Sequence, residues 1–252
     1  MNLLLEAFAW IFDPAHLGGP NGIPIRLVQH LTISLVVLVI SSIIAIPLGY
    51  LIGHTGRGRS LAVGLTGGFR ALPTLGLLII LALWLGIGVE APVIALVVLA
   101  VPPILAGAYS GFEAIDRRTI DSARAVGMTE WQIVRKVEIP LGLPLLIGGL
   151  RSGTLQIIAT ATLADYVGAG GLGRFIFVGL KSNDYPQMLA GSLLVIALAL
   201  LSEGIFAVIQ KLVVPRGVVA IRTQMSARRH PDASRWWGLP PKRGNNDVHS
   251  KH

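Results

Sequence analysis

Five stretches of this chain are apolar for so long, and so free of charge, that lipid rather than water must surround them. Leu31 to Ile52 contains no charged residue, and neither does Ala71 to Val89 or Ala91 to Phe112. Ile139 to Leu150 continues past a single arginine as Ser152 to Ala164, and Tyr185 to Ser202 continues past Glu203. Such runs approach or exceed the roughly 18–20 residues that a helix needs to cross a bilayer. The expected fold class is all-α: a polytopic membrane protein with five spans, at about 31–53, 62–87, 91–111, 141–165 and 187–213. Residues 3–12 are also apolar but too few to cross. With no preceding positive region and no clear cleavage site, they read as an interfacial segment rather than a signal peptide.

The formal net charge of +8 would suggest nucleic acid in a soluble protein, but its distribution does not. Arg57 and Arg59 follow the first span; Arg117, Arg118, Arg124, Arg135 and Lys136 follow the third; and Arg216, Arg222, Arg228, Arg229, Arg235, Lys242, Arg243 and Lys251 follow the fifth. The opposite-side segments hold only Arg26, Arg174 and Lys181. This positive-inside bias predicts a plasma (inner) membrane protein with its N-terminus outside and its C-terminus in the cytosol, as an odd number of spans requires. Nucleic acid is not an expected partner; membrane lipid is. Residues 1–27 are read as an N-terminal segment outside the membrane, 28–211 as the transmembrane domain and 212–252 as a basic cytosolic tail. The tail's composition predicts disorder or contact with the anionic inner leaflet.

No cysteine is present, which removes disulfides, thiol catalysis and thiolate metal sites. The six histidines are scattered, and no cluster has metal-ligand spacing; no metal and no cofactor are expected. Gly168, Gly170 and Gly173 fit G-x-G-x-x-G, but that fingerprint binds nucleotide only between a strand and a helix in a βαβ unit. After a membrane span it reads instead as a flexible re-entrant or loop segment near an outer gate, where glycine permits close backbone approach.

Between spans three and four lies a charged, amphipathic island. Thr119 can cap a short helix that carries Asp121 in its first turn, with Gly127 stopping it in left-handed geometry. Thr129 and Gln132 have capping-box spacing for a second helix, which should end before Pro140 because proline disfavours helical geometry at Ile139. Ala123, Ala125, Val126 and Met128 make the bend small and apolar. Trp131, Ile133, Val134 and Val137 form a stripe on the second helix. Such a bend either packs on the chain's own spans or docks a partner.

The residues Asp121-Ser122-Ala123, Gly127, Val137 and Ile139-Pro140 resemble the EAA loop of ATP-binding-cassette importer permeases, with Asp for the usual Glu and Ser for the first Ala. Phe69-Arg-Ala-Leu-Pro73-Thr resembles that family's second core helix. Ala164 to Leu180, with its glycine run, resembles the branch importing glycine betaine, carnitine and choline; the methionine branch carries a similar run. The resemblance covers roughly residues 28 to 211 and implies a type I importer permease core with cytosolic coupling helices. It further implies that Asp121, Ser122, Ala123, Val126, Gly127, Met128, Ile139 and Pro140 couple to a separate cytosolic ATPase subunit. Also implied are a second permease subunit, identical or homologous, and an extracytoplasmic solute-binding protein. The chain itself has no G-x-x-x-x-G-K-[ST] phosphate loop, and no catalytic residue is expected.

Charges inside spans usually pair, face water or snorkel. Arg70 and Arg151 are placed near cytosolic ends, where they can snorkel, and Glu203 is the better candidate for a buried ion pair. Ser152, Thr154, Gln156, Thr160 and Thr162 make span four polar, through hydrogen bonds between helices or through lining a path. The candidate path or gate residues are Arg70, Pro73, Gln156, Gly170, Gly171, Gly173 and Glu203. A channel or secondary transporter needing no ATPase would explain the spans and leave the island without a purpose. The five aromatic residues Trp84, Tyr109, Tyr166, Phe175 and Phe177 form no evident cage for a quaternary ammonium group.

Overall fold

A computed structural model describes residues 2–213, which form one compact unit; residues 214–252, and with them most of the basic tail, lie outside the described residues. Within it every regular element is helical. Helix α1 (Asn2–Phe12) and the single turn α2 (Pro14–Leu17) precede the long α3 (Ile23–Thr55). Next come α4 (Arg59–Arg70), α5 (Thr74–Leu85) and α6 (Glu90–Glu113). The short α7 (Arg117–Ala125) and α8 (Glu130–Ile133) lead through a π-helical turn, Val134–Glu138, into α9 (Ile139–Thr160). A 3₁₀ segment, Ala161–Val167, then precedes α10 (Gly173–Ser182) and α11 (Tyr185–Val213).

Helices α3, α6 and α11 are each long and apolar enough to cross a membrane. The other two expected spans take different forms. Span two is not one helix: Pro73 has no N–H to donate and constrains Leu72, so the segment breaks into α4 and α5, of 12 residues each. Broken helices are tolerated at membrane depth where protein or water covers the freed backbone groups. Span four is helical from Ile139 to Thr160, but Arg151, Gln156 and its small polar residues dilute its apolar character. α1, at 11 residues, is too short to cross, and it packs along α11.

Helix α6 is the centre of the bundle. Its fully buried residues include Ala91, Ala95, Ala100, Ile104 and Ala108, and α3 and α9 lie against its two sides. Glycines set these approaches. A Cβ on Gly107 would come 2.6 Å from the Cα of Gly149, and one on Gly111 2.6 Å from the carbonyl oxygen of Gly142. On the α3 side, a Cβ on Gly53 would stand 2.7 Å from that of Phe112. In lipid the association of helices depends on such van der Waals contact, because burying apolar side chains gains little over leaving them in hydrocarbon.

Replacing Gly149 by Val should force α6 and α9 apart. Overpacking of this kind costs about 1–3 kcal/mol or more. The expected result is a lowered melting temperature of the detergent-purified protein, measured against a Gly148→Val control, where a Cβ meets nothing within 4 Å.

Candidate functional site: a helical elbow, an opposite glycine turn and an intramembrane ion pair

At one end of the bundle the chain leaves α6 and turns through α7 and α8 before entering α9. α7 starts earlier than its sequence suggests: Asp116, not Thr119, is the cap, its carboxylate accepting from the Arg118 N–H at 2.9 Å. Both residue types can cap, and Asp116 is the one with extended backbone at the helix entry. The helix ends in a Schellman motif. The Gly127 N–H donates to the Arg124 carbonyl at 2.9 Å and the Met128 N–H to the Ala123 carbonyl at 3.1 Å. Gly127 has φ +84°, a conformation that strains any L side chain even though the space beside it is open.

Thr129 then caps α8 with the expected box: its hydroxyl accepts from the Gln132 N–H at 3.4 Å, and the Gln132 side chain accepts from the Thr129 N–H at 3.0 Å. The second helix does not stop at Ile139. Ile139 is fully helical, and the π turn immediately before Pro140 widens the backbone where the proline ring would otherwise strike the preceding turn. The elbow therefore runs without interruption into span four.

Its side chains divide cleanly. Ala123 and Ile133 are buried, whereas Val126 is 78% exposed and Trp131 70%. Asp121, Ser122, Gly127 and Pro140 are exposed too, with Met128 and Ile139 half-buried. Arg124 braces the bend. Its Nε donates to Glu130 Oε1 at 2.7 Å and its Nη2 to Oε2 at 3.1 Å, while Nη1 reaches Asp121 at 3.5 Å. The Arg124 hydrogen bond holds the Glu130 carboxyl below the usual carboxylate range, and Glu130 in turn raises the guanidinium. The brace is thus present above the ordinary carboxyl range and is lost as pH falls through Glu130's lowered value. Both groups are solvated, so its contribution is at the small end for ion pairs.

Side-chain contacts at this end of the bundle tie the elbow to α3 and join α4 to α6. His54, in the last turn of α3, places Nδ1 2.7 Å from the buried Glu138 carboxylate and Nε2 3.5 Å from Glu130. Arg59 at the start of α4 pairs with Glu113 at the end of α6, 2.6 Å apart. A cavity of about 240 Å³ lies among these groups, lined also by Tyr109, Phe112 and Arg117.

The glycine run sits at the opposite end, and it is a packed turn rather than a flexible loop. Gly170, Gly171 and Gly173 are all buried. Gly170 and Gly171 have φ of +81° and +93°, and a Cβ on Gly173 would overlap the carbonyl oxygen of Thr162. The first turns of α3 pin it. Gln29 Oε1 accepts from the Gly171 N–H at 3.2 Å and from Arg26 Nη1 at 3.0 Å. The wholly buried His30 donates from Nε2 to the Ile158 carbonyl at 3.0 Å. Among the aromatics, Tyr166 meets Phe177 edge-on and Phe175 meets Trp10. Trp84 is exposed.

Between the two ends, Arg151 and Glu203 form an ion pair linking α9 to α11. Arg151 Nε donates to Glu203 Oε2 at 2.7 Å, and its Nη2 contacts Oε1. Arg151 is mid-helix, so it pairs rather than snorkels. The threonines of span four bond within it: Thr154, Thr160 and Thr162 donate to the carbonyls of Leu150, Gln156 and Ala159 in their own segment. Gln156 is half-buried. Pro73 terminates the break in span two, and the side chain of Arg70 lies outside the described residues.

A helical bundle with membrane-crossing helices, a braced amphipathic elbow at one end and a pinned glycine turn at the other is the architecture of a membrane transport subunit. The chain belongs to the binding-protein-dependent transport system inner membrane component family, whose model matches residues 45–216. It is an inner-membrane transport permease. It is 34% identical, over 77% of its length and 89% of the relative's, to the glycine betaine/carnitine/choline transport system permease protein OpuCB of Bacillus subtilis. The carnitine transport permease protein OpuCB of Listeria monocytogenes is 37% identical over 69% of this chain and 80% of that one. Among solved structures, the fold is similar to an inward-facing MetNI methionine ABC transporter chain, with a TM-score of 0.66 and 26% identity over 77% of this chain and 97% of that one.

Replacing Thr129 by Ala removes the capping box and should cost the elbow about 1 kcal/mol. Hydrogen exchange at the amides of Trp131 and Gln132 should speed up by roughly that energy's equivalent, about fivefold, with exchange in the interior of α6 unchanged.

Proposed function

We infer that this chain is the permease subunit of an ATP-driven importer that carries a quaternary ammonium osmoprotectant (glycine betaine, choline or carnitine) across the plasma membrane. The observation that carries the transport reading is the elbow, which turns Val126 and Trp131 outward from a bend braced by Arg124 and fixed at Gly127. An exposed apolar bend held this firmly suits insertion into a complementary groove. Its occupant in this reading is a cytosolic ATPase subunit, contacted by Asp121, Ser122, Val126, Gly127 and Met128, with the buried Ala123 behind that surface and Ile139 and Pro140 carrying the connection into α9. The substrate class is supported by the printed activities of the two permeases described above.

In the same reading, residues 28–211 are the permease core. A second permease subunit, identical or homologous, completes the path, and an extracytoplasmic binding protein delivers the solute. The N-terminus is outside and the C-terminus cytosolic, supported by the arginines and lysines that follow spans one and three. The path or gate residues are Arg70, Pro73, Gln156, Gly170, Gly171, Gly173 and Glu203. The pinned turn at Gly171 supports a closed outer gate.

A strain lacking the gene should lose binding-protein-dependent uptake of at least one of the three radiolabelled osmoprotectants after osmotic upshift, and the complemented strain should regain it. Loss of methionine uptake with all three osmoprotectants untouched would transfer the protein to the methionine branch, which the likeness to MetNI makes the second reading. In the complemented strain a Ser182→Cys variant should react with an impermeant maleimide from outside, and a Gly56→Cys variant only after the membrane is opened; the reverse pattern would overturn the orientation.

A further inference from the structure

The Arg151–Glu203 pair lies too deep to be a surface contact. Between Ile139 and Ala164 Arg151 is the only charged residue, and between Tyr185 and Gln210 Glu203 is the only one. Arg151 stands twelve residues after the start of α9 and nine before its end, about 18 and 14 Å at 1.5 Å per residue. Glu203 stands ten residues from the end of α11. Both are therefore near the middle of a hydrocarbon layer about 30 Å thick. The pair is nevertheless open, with 35% of the arginine and 30% of the glutamate side chain accessible. Lipid tails would make that exposure costly, so the open edge faces water or a polar occupant.

The surroundings leave room for such an occupant. Gly148, one turn before Arg151 on the same face, and Gly204, next to Glu203, have nothing within 4 Å of where a Cβ would stand. Ser152 is exposed beside them. Phe206 follows Glu203 by three residues and so shares its face of α11, half-buried.

Resting on the osmoprotectant reading, we propose that Arg151 and Glu203 form an intramembrane site for a zwitterionic solute, in which a carboxylate of the solute takes Arg151 and its quaternary ammonium group takes Glu203. A quaternary nitrogen has no N–H to donate. It is held by charge and by aromatic faces, which a carboxylate and the neighbouring Phe206 provide. The solute's carboxylate matches the planar fork that Arg151 now presents to Glu203. The exchange replaces one ion pair by two, so neither protein charge is left unpaired in the membrane at any stage. A solute with the ammonium group alone would release Arg151 without a partner. The site therefore favours a betaine-type zwitterion over choline.

Transport kinetics in intact cells that retain the binding protein and ATPase test this, with glycine betaine and choline as probes and the membrane level of each variant measured by immunoblot. Arg151→Gln should lower the ratio of glycine betaine to choline Vmax/KM at least tenfold relative to wild type. Glu203→Gln should lower uptake of both. The exchanged pair, Arg151→Glu with Glu203→Arg, should restore any loss of membrane level yet keep glycine betaine uptake at least tenfold below wild type, because the two charges now stand reversed beside Phe206. A structural pair gives a different pattern: an equal fall for both solutes in Arg151→Gln, or wild-type uptake and selectivity in the exchanged pair, and either result overturns the proposal. Wild-type cells that take up neither solute would overturn the osmoprotectant reading itself, and the proposal with it.

Discussion

The close approach of α3 and α9 to the backbone of α6 is the contact on which the rest of this molecule depends. Gly53 on α3, Gly107 and Gly111 on α6, and Gly142 and Gly149 on α9 leave no room for side chains where these helices meet. In hydrocarbon, apolar side chains gain little by leaving lipid for protein, so steric fit must supply the association that burial supplies in water. The fit also fixes position. With α3 and α9 held on either side of α6, the C-terminal end of α3 brings His54 to Glu138, and its other end brings Gln29 to Gly171.

One helix thus touches both candidate sites. α3 ends beside the elbow and begins beside the glycine turn, while α9 grows directly out of the π turn and carries Arg151 at its middle. A displacement of the elbow has a short mechanical route to the ion pair, twelve residues along an unbroken helix. That route carries the π turn before α9 and Pro144 inside it, and π turns recur at functional positions in helices. This contiguity is a spatial fact; energetic coupling between the ends would need both to bias the same two-state element.

What the sequence made legible was local. Charge-free runs gave the long helices, and the Thr129–Gln132 spacing gave the capping box. A lone glycine between two amphipathic segments gave the left-handed stop at Gly127. Signals that compete locally were misread. Asp116 and Thr119 can both cap, and only the chain's path out of α6 selects the first. Pro140 reads as a helix end, yet the helix continues through it after a π turn, whereas Pro73 breaks its helix. Long-range pairings could not be assigned: Glu203 reads as one half of an ion pair, but nothing in the sequence names its partner. Arg151 and Glu203 are separated by 52 residues, and Gln29 and Gly171 by 142. The hydroxyls of span four suggested bonds between helices, but a threonine's own preceding turn offers a carbonyl at no cost in ordering, and that is where they bond.

The central claim is that the bend at Val126–Gly127 seats in an ATPase subunit, and cross-linking tests it most directly. The chain has no cysteine, so a Val126→Cys variant carries a single reactive thiol at the tip of the elbow. In membranes containing the whole transport complex, a short heterobifunctional thiol–photoreactive reagent on that thiol should yield one permease–ATPase product. Leu83→Cys, on an exposed site away from the elbow, should yield none. An ATPase that co-purifies with the Val126→Cys permease yet never cross-links to it, while the Leu83→Cys control does, would contradict the account.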